Sequence, residues 1–265
     1  MTKIVRRLLA ATTLIAGVLA AGLGTAPSAG SAVAWAPAES ASIHPGVMMF
    51  TNGAQCTANF IFTSGTDVFI GYAAHCAGTG AATDTNGCDS GTLPLGTPVE
   101  IDGASQPGTL VYSSWIAMQN AGETNANACA YNDFAVVRIN PADAGKVNPS
   151  IPHWGGPTGI NTAGNPGGSQ IYSYGNSSLR LGITQLSPKT GLSLGSSGGG
   201  WTHPVYTVTP GIPGDSGSAM LDASGRASGV LSTVAIAPLT GSNNFSDLSR
   251  ALTYAQSHGM GGLSL

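Results

Sequence analysis

The chain has 265 residues, 42% of them hydrophobic and only 8% Asp, Glu, Lys or Arg, with a formal net charge of −3. That length is ample for one large core or for two small barrels packed together. No basic run or basic-aromatic stripe occurs, which argues against nucleic acid and anionic membrane surfaces as partners, and 39 Gly with 16 Pro suit short strands and tight turns better than long helices.

Residues 1–34 read as a signal peptide. Lys3, Arg6 and Arg7 form a basic start, an apolar stretch runs from Leu8 to about Leu23, and small residues follow, with cleavage expected after Ala32 or Ala34. The apolar run is roughly 16 residues, short of the ~20 that span a bilayer. Removing the leader leaves six basic against twelve acidic residues, a net charge of −6. No later stretch is apolar enough to span, so a secreted, soluble chain with no stable membrane association, and a monomer, is expected.

After a small-residue linker, short apolar or alternating runs recur between Gly, Asn, Asp and Pro clusters and predict strands. In the first half these cover residues 47–51, 56–63, 68–73, 98–101, 109–118 and 134–139. A Pro/Gly-rich connector at 141–168 follows. The second half predicts strands at 170–174, 179–186, 205–208, 218–221 and 227–237, with a hairpin turn at Asp222-Ala-Ser-Gly225. Residues 195–200, Gly-Ser-Ser-Gly-Gly-Gly, predict a loop. Leu248, Ala251, Leu252 and Ala255 repeat at helical spacing after a cap at Ser246, and Gly259 ends that helix. Without alternating helices there is nothing to support a parallel sheet, so the expectation is an all-β chain of packed antiparallel barrels or a sandwich, plus the C-terminal α-helix.

Four cysteines in an exported chain, Cys56, Cys76, Cys88 and Cys129, lack the paired spacing of a zinc site and predict two disulfides. Three connectivities are open. We favour Cys56–Cys76 with Cys88–Cys129, because the first closes a loop of about 20 residues, worth ~3 kcal/mol in the chain-entropy view.

Three segments carry the chemistry: Ala73-Ala74-His75-Cys76, Asp133-Phe-Ala-Val-Val137 and Gly214-Asp215-Ser216-Gly217-Ser218. A serine hydroxyl needs a base to take its proton as it attacks. Histidine, with an unperturbed pKa of ~6.5, accepts and returns a proton near neutrality, and an aspartate on its other nitrogen fixes the tautomer. In the order His, Asp, Ser, at separations of 58 and 83 residues, the segments resemble the signature of the chymotrypsin-like serine peptidases, secreted bacterial type. An α/β-hydrolase runs Ser, Asp, His and carries G-x-S-x-G, whereas here Ser218 replaces the last glycine.

The resemblance implies two packed six-stranded antiparallel β-barrels, residues 35–145 with His75 and Asp133 and residues 146–265 with Ser216. It implies a polypeptide substrate, no cofactor and no metal. Ser216 becomes the nucleophile, His75 the base, Asp133 its orienting carboxylate, and the N–H groups of Gly214 and Ser216 the oxyanion hole. Pro210 stands where trypsin-like members carry a pocket aspartate, so small or medium apolar P1 residues are expected, with Ser232, Thr233 and Val234 lining the pocket. Ile212 replaces a pocket-bracing cysteine of many relatives. Asp215 needs a cationic partner; animal relatives use a new N-terminus, for which Ile43 is the position to test, and bacterial relatives an arginine, for which Arg180 is the candidate. His44, His153, His203 and His258 lack such context and are read as structural. The alternatives are a weakly catalytic binding protein on this fold and an esterase on the same barrels.

Overall fold

The chain begins its first sheet at a hairpin that its turn residues dictate. Strands β1 (Met48–Thr51) and β2 (Ala54–Thr57) pair antiparallel across Asn52-Gly53, whose φ values of 49° and 83° give the two-residue turn that matches strand twist. The computed structural model describes residues 33–81, 84–234 and 241–265. All but the last two residues of the expected signal peptide lie outside them, as do residues 235–237 of the expected final strand.

Strands β3 (Ile61–Ser64), β4 (Asp67–Tyr72), β5 (Pro98–Ile101), β6 (Gly108–Ser113) and β7 (Ala135–Arg138) complete the sheet in the order β2-β1-β5-β6-β7-β4-β3. Its two outer strands, β2 and β3, are consecutive and only three residues apart. The predicted strand at 56–63 is therefore one bent run whose halves pair on opposite sides of the sheet. Asn59 N donates to Gly71 O and Gly71 N to Phe60 O, so the bend curls the sheet back on itself.

The second sheet is a closed barrel of β8 (Gln170–Tyr174), β9 (Pro188–Ser193), β10 (Thr202–Thr207), β11 (Ala219–Asp222), β12 (Ala227–Val234) and β13 (Asn243–Asp247), in the order β10-β13-β12-β11-β8-β9. Helix α1 (Ser114–Ala121) follows β6, α2 (Ala126–Tyr131) precedes β7, and α3 (Leu248–Ser257) follows β13. The architecture is all-β with a C-terminal helix, two antiparallel sheets as expected. Leu248, Ala251, Leu252 and Ala255 of α3 are buried; its N-cap is Asp247, not Ser246, with the carboxylate accepting from Arg250 N.

Several elements differ from the sequence expectation. Residues 179–186 form two short 3-10 turns, with Leu179, Leu181, Ile183 and Leu186 all exposed, so apolar spacing there does not mark burial. The strand lies just beyond, in β9, and it escapes pattern reading because its inward residues include Lys189 and Ser193. β13 escapes likewise, since Phe245 is its single large apolar residue. The run 109–118 is β6 followed by α1, which Gly122 stops in a left-handed C-cap at φ 61°.

Cys56–Cys76 and Cys88–Cys129 are bonded, with Cα–Cα distances of 6.2 and 5.1 Å. The core of the first sheet is aromatic: Phe60, Phe62, Tyr72 and Phe134 are fully buried, and Phe62 meets Phe134 edge-on at 5.7 Å. Inside the closed barrel a smaller cluster unites Ile171, Val205, Met220, Leu231 and Phe245.

Candidate active site

His75 sits in a single 3-10 turn, Ala74–Ala77, directly after β4. The neighbouring Cys76 ties that turn to β2. Asp133 stands between α2 and β7, where the chain re-enters the core as Phe134-Ala-Val-Val. Its carboxylate reaches His75 twice, accepting from the backbone N at 2.8 Å and lying 2.6 Å from Nδ1. Ser232 Oγ, from β12 of the other sheet, donates to the same carboxylate at 2.6 Å. An ionised carboxylate only accepts, so Nδ1 carries the ring proton and Nε2 is left as the acceptor.

Burial disfavours the imidazolium, but the charge of Asp133 and its hydrogen bond outweigh that cost, so the His75 pKa lies above 6.5. Burial pushes Asp133 upward, and the opposing His75 contacts with the Ser232 hydroxyl hold it below its ordinary value. The His75 side chain remains 26% exposed, within reach of a ligand from solvent. Cys56, Cys76 and His75 lie close enough to suggest metal ligands, but both sulfurs are spent on a disulfide.

The Ser216 loop is clamped from three sides. Thr57 N of β2 donates to Ser216 O at 2.8 Å, and Gly217 N donates to Leu231 O of β12 at 2.7 Å. Gly217, at φ 89°, packs so closely on Thr57, Tyr72 and Ala73 that a Cβ there would meet Thr57 O and the end of β4, three residues before His75. The serine loop, the histidine turn and Ser232 thus converge at the seam between the sheets. Ser216 Oγ and His75 Nε2 are not themselves hydrogen-bonded among the described residues.

Upstream of the serine, Ser177 Oγ donates to Pro213 O at 2.6 Å, while Gln55 Nε2 and Thr57 Oγ1 donate to Gly214 O at 2.9 and 2.7 Å. Both flanking peptides are fixed by their carbonyls. Across a trans peptide the N–H points opposite the C=O, so anchoring Pro213 O aims Gly214 N–H away from Ser177. Neither Gly214 N nor Ser216 N donates to a protein acceptor among the described residues. Gly214 has φ 94°, and a Cβ there would collide with Gln55, so this turn requires glycine.

Asp215 is fully buried and meets Arg180 end on in a bidentate pair, Oδ1 to Nη1 at 2.6 Å and Oδ2 to Nη2 at 2.7 Å. Ile43 does not take this place. It is a buried mid-chain residue whose N donates to Lys146 O, in the strap that joins the first residues of the described chain to residues 146–148. Pattern reading missed a second cation: Lys189 Nζ lies 3.2 Å from Asp215 Oδ2 without a well-aligned hydrogen bond.

Of the expected pocket residues, Ser232 gives its hydroxyl to Asp133, Thr233 Oγ1 accepts from Asn244 at 3.1 Å, and Pro210 O accepts from Arg180 at 3.2 Å. The side chain of Val234 lies outside the described residues. Sequence reading also missed Gln55, Thr57 and Ser177, which no motif marks because each acts on a loop far along the chain.

Two curled antiparallel sheets meeting at this seam, with a C-terminal helix, define the chymotrypsin-like two-barrel fold. Among solved structures the chain is similar to Thermobifida fusca Protease A, at 20% identity and a TM-score of 0.53 over 84% of this chain and 97% of that one. It is similar also to a Glu endopeptidase solved with MPD, at 18% identity and a TM-score of 0.53 over 83% and 92%, and to a glutamic acid specific serine protease, at 19% and 0.50 over 80% and 97%. At these identities the likeness is one of fold. No known family model matches the chain, and no curated protein matches its sequence.

Proposed function

We propose that the chain is a secreted serine endopeptidase in which Ser216 attacks the scissile carbonyl, His75 takes its proton and Asp133 holds the imidazole. The observation that carries this reading is the His75–Asp133 pair, 2.6 Å apart and capped by Ser232, set beside a serine loop whose Gly214 and Ser216 amides donate to no acceptor among the described residues. On binding, the substrate carbonyl sits between the Ser216 hydroxyl and the N–H groups of Gly214 and Ser216, each donor worth about 3 kcal/mol of transition-state stabilisation. The Ser216 to His75 contact tightens in that complex, as catalytic hydrogen bonds commonly do.

A polypeptide substrate is favoured by an open backbone edge. β12 leaves β11 after Val230, so among the described residues Thr233 and Val234 pair only with β13 and offer a ladder to an extended peptide. Pro210, in place of an acidic residue, supports small or medium apolar P1 side chains. The three similar structures are all proteases by description, and the two disulfides suit an oxidising, extracellular location.

Labelling with a fluorophosphonate probe, mapped by mass spectrometry, tests the assignment. The label is expected on Ser216, and Ser216→Ala is expected to lower peptide turnover by ~10⁶-fold, as for the equivalent loss in subtilisin. Profiling peptides against esters separates a peptidase from an esterase. Folded wild-type protein that takes no label on Ser216 would leave a binding protein on a protease fold.

A further inference from the structure

A second serine, histidine and aspartate stand in series in the closed barrel, apart from the residues discussed above. Ser196 Oγ lies 3.1 Å from His203 Nδ1, and His203 Nε2 lies 2.7 Å from Asp247 Oδ2. His203 is 1% exposed and Asp247 6%, while Ser196 faces solvent on the glycine-rich loop before β10. Asp247 is fixed from two sides, since its other carboxylate oxygen accepts from Arg250 N at 2.8 Å to cap α3. As a carboxylate it only accepts, so His203 carries its proton on Nε2 and turns the Nδ1 lone pair toward the Ser196 hydroxyl. That is the arrangement an activated nucleophile requires: hydroxyl, base within reach, base oriented by a third group.

The surroundings fit a small electrophile. The N–H groups of Ser196, Gly198 and Gly199 donate to no protein acceptor among the described residues, and Gly198 and Gly199 hold φ values of 55° and 62°. Successive amides in such a turn form a concave donor set for developing negative charge. On the other side stands Gly164, where a Cβ would lie 3.3 Å from Ser196 Oγ and 3.9 Å from His203 Cε1. The missing side chain leaves the hydroxyl open, with little space to spare.

We propose that Ser196 is a second activated nucleophile, taking the acyl group of small activated esters with His203 as its base and Asp247 as the positioning residue. Ser196 Oγ bonds to the carbonyl carbon, the bond from that carbon to the leaving oxygen breaks, and the hydroxyl proton passes through His203 to the departing alkoxide or phenolate. The products are O-acylserine and the free alcohol; water then regenerates the serine and releases the acid.

The test uses 4-nitrophenyl acetate on the Ser216→Ala chain, so that the proposed peptidase nucleophile contributes nothing. Release of 4-nitrophenol is expected to fall about 10²-fold on adding Ser196→Ala, the usual worth of a positioned general base, and comparably on adding His203→Gln. Adding Ser197→Ala, an exposed neighbour with no histidine, is expected to leave the rate unchanged. Should His203→Gln not fold, the two serine variants decide the matter alone, both being on the surface. A rate indifferent to Ser196→Ala, or equally sensitive to Ser197→Ala, overturns the proposal. Ser196→Ala in the wild-type chain is expected to leave fluorophosphonate labelling of Ser216 intact, which keeps this test independent of the peptidase assignment.

Discussion

The two sheets solve the same packing problem with different materials. The first is filled by Phe60, Phe62, Tyr72 and Phe134 and is clipped by both disulfides; the second surrounds a small apolar cluster with buried Arg180, Lys189, Asp215, His203 and Asp247. An apolar core is indifferent to pH and tolerant of approximate partners. Buried ions are not, because removing one partner strands the other in a medium that solvates it poorly. The half that carries the serine loop should therefore be the more fragile to single polar substitutions, and the half that carries His75 the more robust.

After the loss of the serine itself, the largest effect expected is on rate in the robust half. Asp133→Asn removes the carboxylate that fixes the His75 tautomer and should lower kcat by ~10⁴-fold, the loss seen for the matching change in the trypsin-type triad, while far-UV circular dichroism stays unchanged. A smaller loss would mean that Ser232 and the His75 turn hold the imidazole without help.

Next comes Asp215→Asn in the ionic half. It leaves Arg180 and Lys189 as buried cations without a counter-charge, and unfolding by denaturant should show a loss of about 3–5 kcal/mol. Peptide turnover should fall with it, because Ile212 N also bonds to this carboxylate and sets the turn before the serine. A cost under about 1 kcal/mol would break the contrast between the halves.

Removing the disulfides tests the first sheet. Loops of 41 and 20 residues give about 4 kcal/mol for Cys88–Cys129 and about 3 kcal/mol for Cys56–Cys76 in the chain-entropy view. Of the two double alanine variants, the second should also lower kcat, since it frees the turn that carries His75.

Two pH effects are smaller. The proposed base, His75, must be neutral, so kcat/KM should rise with pH through a midpoint above 6.5, displaced upward by Asp133. Burial and the Arg180 charge outweigh Asp215 at Lys189, whose folded pKa therefore lies below 10.5. Between that value and 10.5 the unfolded chain binds more protons, so this group makes stability rise with pH; Lys189→Met should remove the rise in pH-dependent denaturation curves.

The sequence by itself determined which local segments carry the proposed chemistry. His75, Asp133 and Ser216 each lie in a local signature, and the α3 stripe is likewise set by neighbours along the chain. What tertiary structure decided is everything that depends on residues far apart. Lys189 and Ser193 face inward on β9 because Asp215 and Asn165 wait there with charge and carbonyl, so that strand carries no apolar alternation to read. Ser232 reaches Asp133 across 99 positions, Gln55 reaches the Gly214 carbonyl across 159, and His203 meets Asp247 only because β10 pairs with β13. Local patterns record what a residue needs from its own backbone; a buried polar group records what some distant segment supplies, and that partner is known only once the sheets have closed.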